Sequence, residues 1–199
     1  MYSTIKRIMD IVMSVAAMAV CAPFLPLVAL AIKLDSSGPI FHCQERIGKG
    51  GVPFRLFKLR SMTLGAETVR ASLAADAEVT GPVFKMRNDP RVTRVGRLLR
   101  KYSIDELPQL LNVLSGQMSL VGPRPPLPVE VEDYEPWHMR RLSVKPGLTC
   151  IWQVSGRSHV SFDRWVRMDI EYIENQSIWL DLKLLLLTIP AVFSGRGAY

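Results

Sequence analysis

The sequence predicts an α+β fold, mainly helical, in which an N-terminal re-entrant membrane helix precedes a small β-hairpin and interfacial amphipathic helices. Three observations predict it. An apolar run over Ile11–Ile32 is interrupted by Pro23 and Pro26, and a single pair of strand-like segments flanks Gly48-Lys49-Gly50-Gly51. Most of the chain beyond the hairpin carries apolar residues at helical rather than alternating spacing. The expected organisation is a membrane segment over residues 1–35 and one cored, membrane-associated domain over 36–199.

The Ile11–Ile32 run holds about 22 residues without a charge, enough at ~1.5 Å each to cross a ~30 Å hydrocarbon core. Its two prolines remove helix hydrogen bonds and leave about 12 residues before the break, roughly 18 Å, which is too short to cross. Lys6 and Arg7 precede the run and Lys33 follows it. Positive charge at both ends disfavours translocating either. A bent segment that enters and leaves by one face satisfies both facts. A straight spanning helix is the competing reading. A cleaved leader is another, with Lys6-Arg7 as its basic start and Ala29-Leu30-Ala31 as its cleavage site, although the run is long for one.

After the turn-rich Asp35-Ser36-Ser37-Gly38-Pro39, Ile40–Ile47 and Phe54–Met62 read as the strands of a hairpin. Alternation sets Phe57 and Leu59 on one face and Lys58 and Arg60 on the other. Two neighbouring cations repel unless an anion lies between them, so this face suits either a phosphate or a solvated edge charged against aggregation. Leu64–Val79 is Ala-rich and reads as a surface helix ended by Gly81-Pro82. Beyond the Asn88-Asp89-Pro90 turn, Arg94, Arg97 and Arg100-Lys101 recur opposite Val95, Leu98 and Leu99. That basic face is either solvated or laid on anionic lipid headgroups.

The basic helix runs into Ser103-Ile104-Asp105-Glu106-Leu107-Pro108. Ser103 with Glu106 three residues on has the form of a capping box, and Pro108 fits a helix that starts at Ile104 to Asp105. Asp105 in a first turn, beside free N–H groups, would keep its charge and could serve as nucleophile or hold a divalent cation. The plain alternative is that acids are enriched in helix first turns. Further on, Gly122-Pro123-Arg124-Pro125-Pro126-Leu127-Pro128 holds Arg124 on an extended backbone at low entropy cost, as bidentate phosphate binding prefers. A proline-rich linker is its alternative. Val129–Leu142 reads as a helix with a kink at Pro136, Lys145-Pro146-Gly147-Leu148 as a turn, and Cys150–Val154 as an extended piece. Arg157, in Ser155-Gly156-Arg157-Ser158, is a further candidate anion contact. Phe162–Ile173 is helical in pattern, and the strongly apolar Trp179–Phe193 suits either a membrane interface or a core.

The chain has 199 residues and a formal net charge of +7, which implies an anionic partner: nucleic acid, anionic lipid or a phosphorylated substrate. Cys21, Cys43 and Cys150 are odd in number and lack metal-ligand spacing, which argues against a disulfide framework or a zinc site. His42, His138 and His159 lie far apart and read as surface or packing residues.

Taken together, an ordered set of motifs resembles the bacterial sugar transferases that start capsule, exopolysaccharide and O-antigen synthesis, the monotopic phosphoglycosyl transferases. The set runs from Lys6-Arg7 with Asp10 and the proline-broken run, through Gln44-Glu45-Arg46-Ile47-Gly48, Phe57-Lys58-Leu59-Arg60-Ser61-Met62 and Asp89-Pro90-Arg91-Val92-Thr93. It continues with Asp105-Glu106-Leu107-Pro108-Gln109, Met118-Ser119-Leu120-Val121-Gly122-Pro123-Arg124-Pro125, Lys145-Pro146-Gly147-Leu148-Thr149 and Trp152-Gln153-Val154-Ser155-Gly156-Arg157. One departure is Ala22-Pro23 where better-studied relatives often have Ser-Pro.

The resemblance implies a membrane enzyme on the cytoplasmic face of the bacterial inner membrane. It would move a sugar-1-phosphate from a UDP-sugar to polyprenyl phosphate and release UMP, with Mg²⁺. On this reading Asp105 is the nucleophile of a phospho-aspartyl intermediate, and Glu106 is the main metal ligand, with Asp105 sharing the ion. Lys58, Arg60, Arg124 and Arg157 neutralise phosphate charge, and Pro23 and Pro26 make the membrane bend. The partners implied are a UDP-sugar, polyprenyl phosphate and an anionic bilayer, with a homo-oligomer admitted and no nucleic acid expected. The rival is a non-catalytic, membrane-anchored basic module binding anionic lipid or nucleic acid. It accounts for the charge and the apolar run but not for the acid pair amid cations.

Overall fold

The computed structural model describes residues 2–66, 68, 86, 88–155 and 161–195. The chain opens with α1 (Tyr2–Cys21), a 3-10 turn at Ala22–Phe24, and α2 (Leu25–Asp35). Pro23 and Pro26 each fall at the first positions of a helical piece, where a missing N–H leaves no hydrogen bond unmade. By length and composition Tyr2–Asp35 could cross a membrane, and only 6% of its most apolar window is buried. The arm before the break is longer than the uncharged run suggests, because α1 begins at Tyr2.

That first stretch is polar and packed. Lys6 Nζ and Tyr2 Oη reach Asp181 Oδ2 at 2.8 and 3.0 Å. Arg7 donates to the carbonyls of Val113 and Leu114 at 2.6 and 2.7 Å. Asp10 accepts from Ser119 Oγ and Leu120 N, both at 3.0 Å. At the far end, Ile32 of α2 is buried with Leu59 and Leu99. Both ends of the apolar segment therefore sit on the same body, while Val20, Phe24 and Leu27 between them are exposed.

The hairpin is β1 (Phe41–Ile47) with β2 (Pro53–Leu59), antiparallel, pairing His42 with Lys58 and Arg46 with Phe54. Both strands are shorter than the sequence suggests, and beyond β2 only Met62 makes a bridge, to Val92. Phe57 and Leu59 keep the expected shared parity in β2, but the strand buries side chains on both faces. Phe54 and Leu56 enter the central core and Leu59 enters the separate cluster with Ile32 and Leu99. Lys58 thus shares the parity of the inward-facing Phe54 and Leu56. The expected surface helix over 64–79 lies mostly outside the described residues, as does Gly81-Pro82; Leu64, Gly65 and Ala66 form a turn.

α3 (Arg94–Lys101) is capped by Thr93, whose Oγ1 accepts from Gly96 N. Arg94, Arg97 and Lys101 are exposed, and Leu99 is buried. After it, α4 (Gln109–Leu114), β3 (Ser119–Val121), α5 (Pro128–Glu132), β4 (Gly147–Thr149), α6 (Ile151–Val154), α7 (Phe162–Glu174) and α8 (Ile178–Ser194) complete the chain. Three expectations change here. The helix over 129–142 breaks into α5 and a 3-10 segment at His138–Ser143, with Pro136 between them. Leu148 and Thr149 belong to a strand parallel to β3, and Ile151–Val154 is a helical turn rather than extended.

The central core joins β2, α4, β3, α7 and α8 through Leu56, Val113, Met118, Val121, Tyr172 and Leu184. A second, aromatic cluster holds Trp152, Phe162 and Trp165. α8 packs on one side: Asp181 and Leu184 are buried, while Trp179, Leu186, Ile189 and Phe193 are exposed, Trp179 by 83%.

Candidate active site

Asp105 and Glu106 lie in a 3-10 turn, Ile104–Glu106, that precedes α4 rather than in an α-helical first turn. The expected capping box does not form. Ser103 takes a left-handed conformation, φ 54°, and makes no side-chain cap. Glu106 instead turns to β2, where Lys58 Nζ lies 2.8 Å from its Oε1 and 3.9 Å from Asp105 Oδ2. One cation thus spans both acids.

The acids differ in depth and in charge. Asp105 is 5% exposed, and burial pushes its carboxyl above the usual carboxylate range against the pull of Lys58, with the Glu106 charge adding to the rise. Glu106 ends below its ordinary value. Burial opposes its charge, but the Lys58 ammonium, by charge and by hydrogen bond, together with Arg124 and Arg46 outweighs it. Two coupled carboxylates in different settings are pushed apart, as in sites where one holds charge and the other does chemistry. Arg100, in the last turn of α3, adds its field at Asp105.

Arg124 stands near Glu106 with its guanidinium 5.5 Å from the Trp165 ring centroid and Nη1 3.5 Å from Glu130 Oε2. Glu130 is buried and also accepts from Leu127 N at 2.9 Å, which pins the proline frame behind Arg124. The Arg124 carbonyl accepts from Arg141 Nη2 at 3.4 Å. Arg141 is itself paired with Asp169 at 2.7 Å, both side chains 1% exposed. The structure thus brings together Asp105, Glu106, Lys58 and Arg124.

Arg60 does not join them. β2 ends at Leu59, so Arg60 escapes the strand alternation, and its guanidinium donates to the carbonyls of Ser36, Ser37 and Ile32 at 2.6, 2.7 and 3.2 Å. It caps the end of α2. Arg157 lies outside the described residues.

Sequence reasoning missed three contributors. Arg46 is buried on β1, donates to Pro125 O at 3.0 Å and Gln44 Oε1 at 2.6 Å, and lends charge to Glu106. Its strand position opposite the inward Phe54 was the available signal. Arg141 read as one of the charges ending the expected 129–142 helix, and nothing in the sequence joined it to Asp169, 28 residues on. Asn112 had no signal: fully buried, it accepts from Phe57 N at 3.1 Å and donates to Arg55 O at 2.7 Å and to Gln117 Oε1 at 2.8 Å.

The sequence profile described as bacterial sugar transferase matches residues 1–195. The galactosyl transferase CpsE of Streptococcus agalactiae is 44% identical over 97% of this chain and 43% of its own length. The exopolysaccharide production protein ExoY of Rhizobium meliloti is 40% identical, over 98% of this chain and 88% of ExoY. A Caulobacter vibrioides protein named UDP-glucose:undecaprenyl-phosphate glucose-1-phosphate transferase is 44% identical over 98% of this chain and 72% of its own. The chain thus spans less than half of CpsE, and its likeness to each relative runs through nearly all of its own length. With a profile match from the first residue through Gly195, the chain belongs to the bacterial sugar transferase family.

Proposed function

We propose that the chain is a phosphoglycosyl transferase that moves a sugar-1-phosphate from a UDP-hexose, galactose or glucose, to polyprenyl phosphate and releases UMP. The observation that carries the reading is the unequal acid pair under one shared cation, Lys58 at 2.8 Å from Glu106 and 3.9 Å from Asp105. The names of relatives supply the substrate class: one is a galactosyl transferase and another a glucose-1-phosphate transferase acting on undecaprenyl phosphate.

In the first step an Asp105 carboxylate oxygen attacks the β-phosphorus. The bond from that phosphorus to the bridging oxygen breaks, and the bridging oxygen leaves on UMP. A terminal oxygen of polyprenyl phosphate then attacks the same phosphorus, the phosphorus–carboxylate bond breaks, and polyprenyl diphosphate sugar departs from a regenerated Asp105. Burial that raises the basicity of Asp105 makes its ionised form the better nucleophile. Glu106, held charged by Lys58, is the acid left for a metal. Lys58 and Arg124 neutralise charge at the transferring phosphoryl group.

The donor set fits Mg²⁺, which takes one or two carboxylates beside phosphate and water oxygens. Glu106 first and Asp105 second would hold it, and the ion would supply phosphoryl charge neutralisation.

Support for a membrane seat comes from three surfaces. Both ends of the Tyr2–Asp35 segment rest on one body while its proline-broken middle is exposed. This supports reading the segment as one that enters and leaves by one face, and the need for UDP-sugars supports the cytoplasmic one. α8 adds an exposed apolar row, and α3 adds exposed cations suited to anionic headgroups.

The test is UMP release by the full chain in nanodiscs supplied with undecaprenyl phosphate and either UDP-galactose or UDP-glucose. A UDP-sugar carrying radiophosphorus in the β position should label wild-type protein at Asp105 and leave Asp105→Asn unlabelled. Label on Glu106, or label that persists in Asp105→Asn, overturns the assignment.

A further inference from the structure

Arg60, Asp35 and the start of α3 meet in a junction that no substrate is needed to explain. The Arg60 guanidinium takes three carbonyls at the end of α2, and its backbone N–H donates to Ile40 O at 2.8 Å. Asp35, the last residue of α2, accepts from Val95 N at 2.9 Å and from the Thr93 hydroxyl, so it caps α3. Thr93 N in turn donates to Ser61 O at 3.1 Å. The fit is tight. A Cβ at Gly96 would collide with the Ser61 carbonyl, and one at Gly38, whose φ is +121°, would collide with the Arg60 guanidinium.

Two chain segments leave this junction toward the site. β2 carries Lys58, two residues before Arg60. α3 carries Arg100 and runs directly into Ser103, Asp105 and Glu106. The end of the apolar segment therefore holds the cation and the acids in register from one point, through groups that touch neither.

We propose that Arg60 and Asp35 are positioning residues that fix Lys58 relative to Asp105 and Glu106 by tying the end of α2 to β2 and to α3. This rests on the transferase reading of the acid pair. The geometry demands three carbonyl contacts from one planar fork, which lysine cannot reproduce. Displacing Lys58 by about 1 Å costs on the order of 10- to 100-fold in turnover without removing any group that binds substrate.

The experiment uses the full chain in phosphatidylethanolamine–phosphatidylglycerol nanodiscs, with Arg60→Lys, Arg60→Gln and Asp35→Asn beside wild type. Two readouts are taken: kcat and KM for the UDP-sugar, and backbone hydrogen exchange of the 103–107 turn without substrate. The expected result is kcat lowered on the order of 10- to 100-fold in all three variants with KM within about twofold, and faster exchange at 103–107. If Arg60 variants raise KM about tenfold at unchanged kcat while Asp35→Asn behaves as wild type, Arg60 is a phosphate contact and the proposal is wrong. If exchange quickens only around 32–38 and 58–61, with 103–107 unchanged, the junction is merely local and the proposal is equally wrong. Absence of UMP from wild type refutes the transferase reading alone, because exchange at 103–107 still decides whether the junction controls the acids.

Discussion

Replacing Asn112 by Leu should show how the site is held in register. Among the described residues β1 and β2 form a two-stranded sheet, with no strand beside the other edge of β2. Asn112 fills part of it: its carboxamide offers an acceptor to Phe57 N and a donor to Arg55 O, as a neighbouring peptide unit would. This fixes α4, and the acid turn before it, against the strand that carries Lys58. Leu has similar bulk and neither group. It leaves the part-buried Phe57 amide and Arg55 carbonyl without this partner, each costing about 1–3 kcal/mol. Partial relaxation brings the pair to about 3 kcal/mol, and at ~2–4 °C per kcal/mol for a chain of this size the midpoint falls by roughly 6–12 °C. Thermal unfolding in nanodiscs, followed by tryptophan fluorescence with every variant at the same heating rate, measures it. Asn112→Asp keeps the acceptor and loses both donations, so its deficit should grow as pH rises and the carboxylate ionises. A fall under about 2 °C for Asn112→Leu would refute the view that these hydrogen bonds fix the strand.

Asp169→Ala strands Arg141 as a buried cation at a cost of about 3–5 kcal/mol; its unfolding midpoint should drop accordingly, and removing Arg141 as well by Arg141→Met should restore part of it. Arg124→Lys should lose at least tenfold in turnover if the planar fork rather than bare charge binds phosphate, a loss of about 1.4 kcal/mol or more; near wild-type turnover sinks that reading. Burial holds the Cys150 thiol well above its ordinary value, so its thiolate is absent at mildly alkaline pH, whereas Cys43 is exposed. A maleimide should therefore modify Cys43 in the native chain and reach Cys150 only on unfolding, as peptide mass mapping would report. Hydrogen bonds from Thr93 and Val95 hold Asp35 below its unfolded value of 3.8. Stability from Asp35 is thus complete above pH 3.8 and is lost as pH falls through its lower folded value. Asp35→Asn should flatten that acid limb of the midpoint-versus-pH curve, and an unchanged limb would show that Asp35 contributes nothing to it.

How much of the fold could be read from the sequence depends on how local each signal is. The hairpin was legible because alternation and a glycine-rich turn lie within one short window, and α3 and α7 because their residues recur at helical spacing. The β3–β4 pair was not, since three-residue strands far apart in the chain carry no periodicity of their own. In the site, Lys58, Asp105, Glu106 and Arg124 could be picked out by residue type and local frame. The turn that carries the acids was misjudged because a left-handed Ser103 is a conformation only tertiary packing imposes on serine. Arg60 was misplaced for a related reason: strand parity assigns a face only while the strand continues, and β2 stops one residue short. Arg46, Asn112 and Asp169 act through partners remote in sequence, which no window reading can supply.

The Tyr2–Lys6–Asp181 contact has a consequence for biosynthesis. Its members are separated by 175 to 179 positions, and Asp181 also accepts from Tyr172 at 2.7 Å. A ribosome adding about 5–20 residues per second needs roughly 10–35 s to deliver the acid after the cation has been made. During that interval Lys6 and Tyr2 lack their acceptor, whereas Asp10 can meet Ser119 and Leu120 sooner, because both precede Asp181 in the chain. Lys6 and Tyr2 must wait in water or among lipid headgroups until α8 brings Asp181. The ion pair at the N-terminal end of α1 is therefore made only after α8 has been synthesised, and a nascent chain arrested before Asp181 should leave Lys6 more reactive toward an amine reagent than it is in the folded protein.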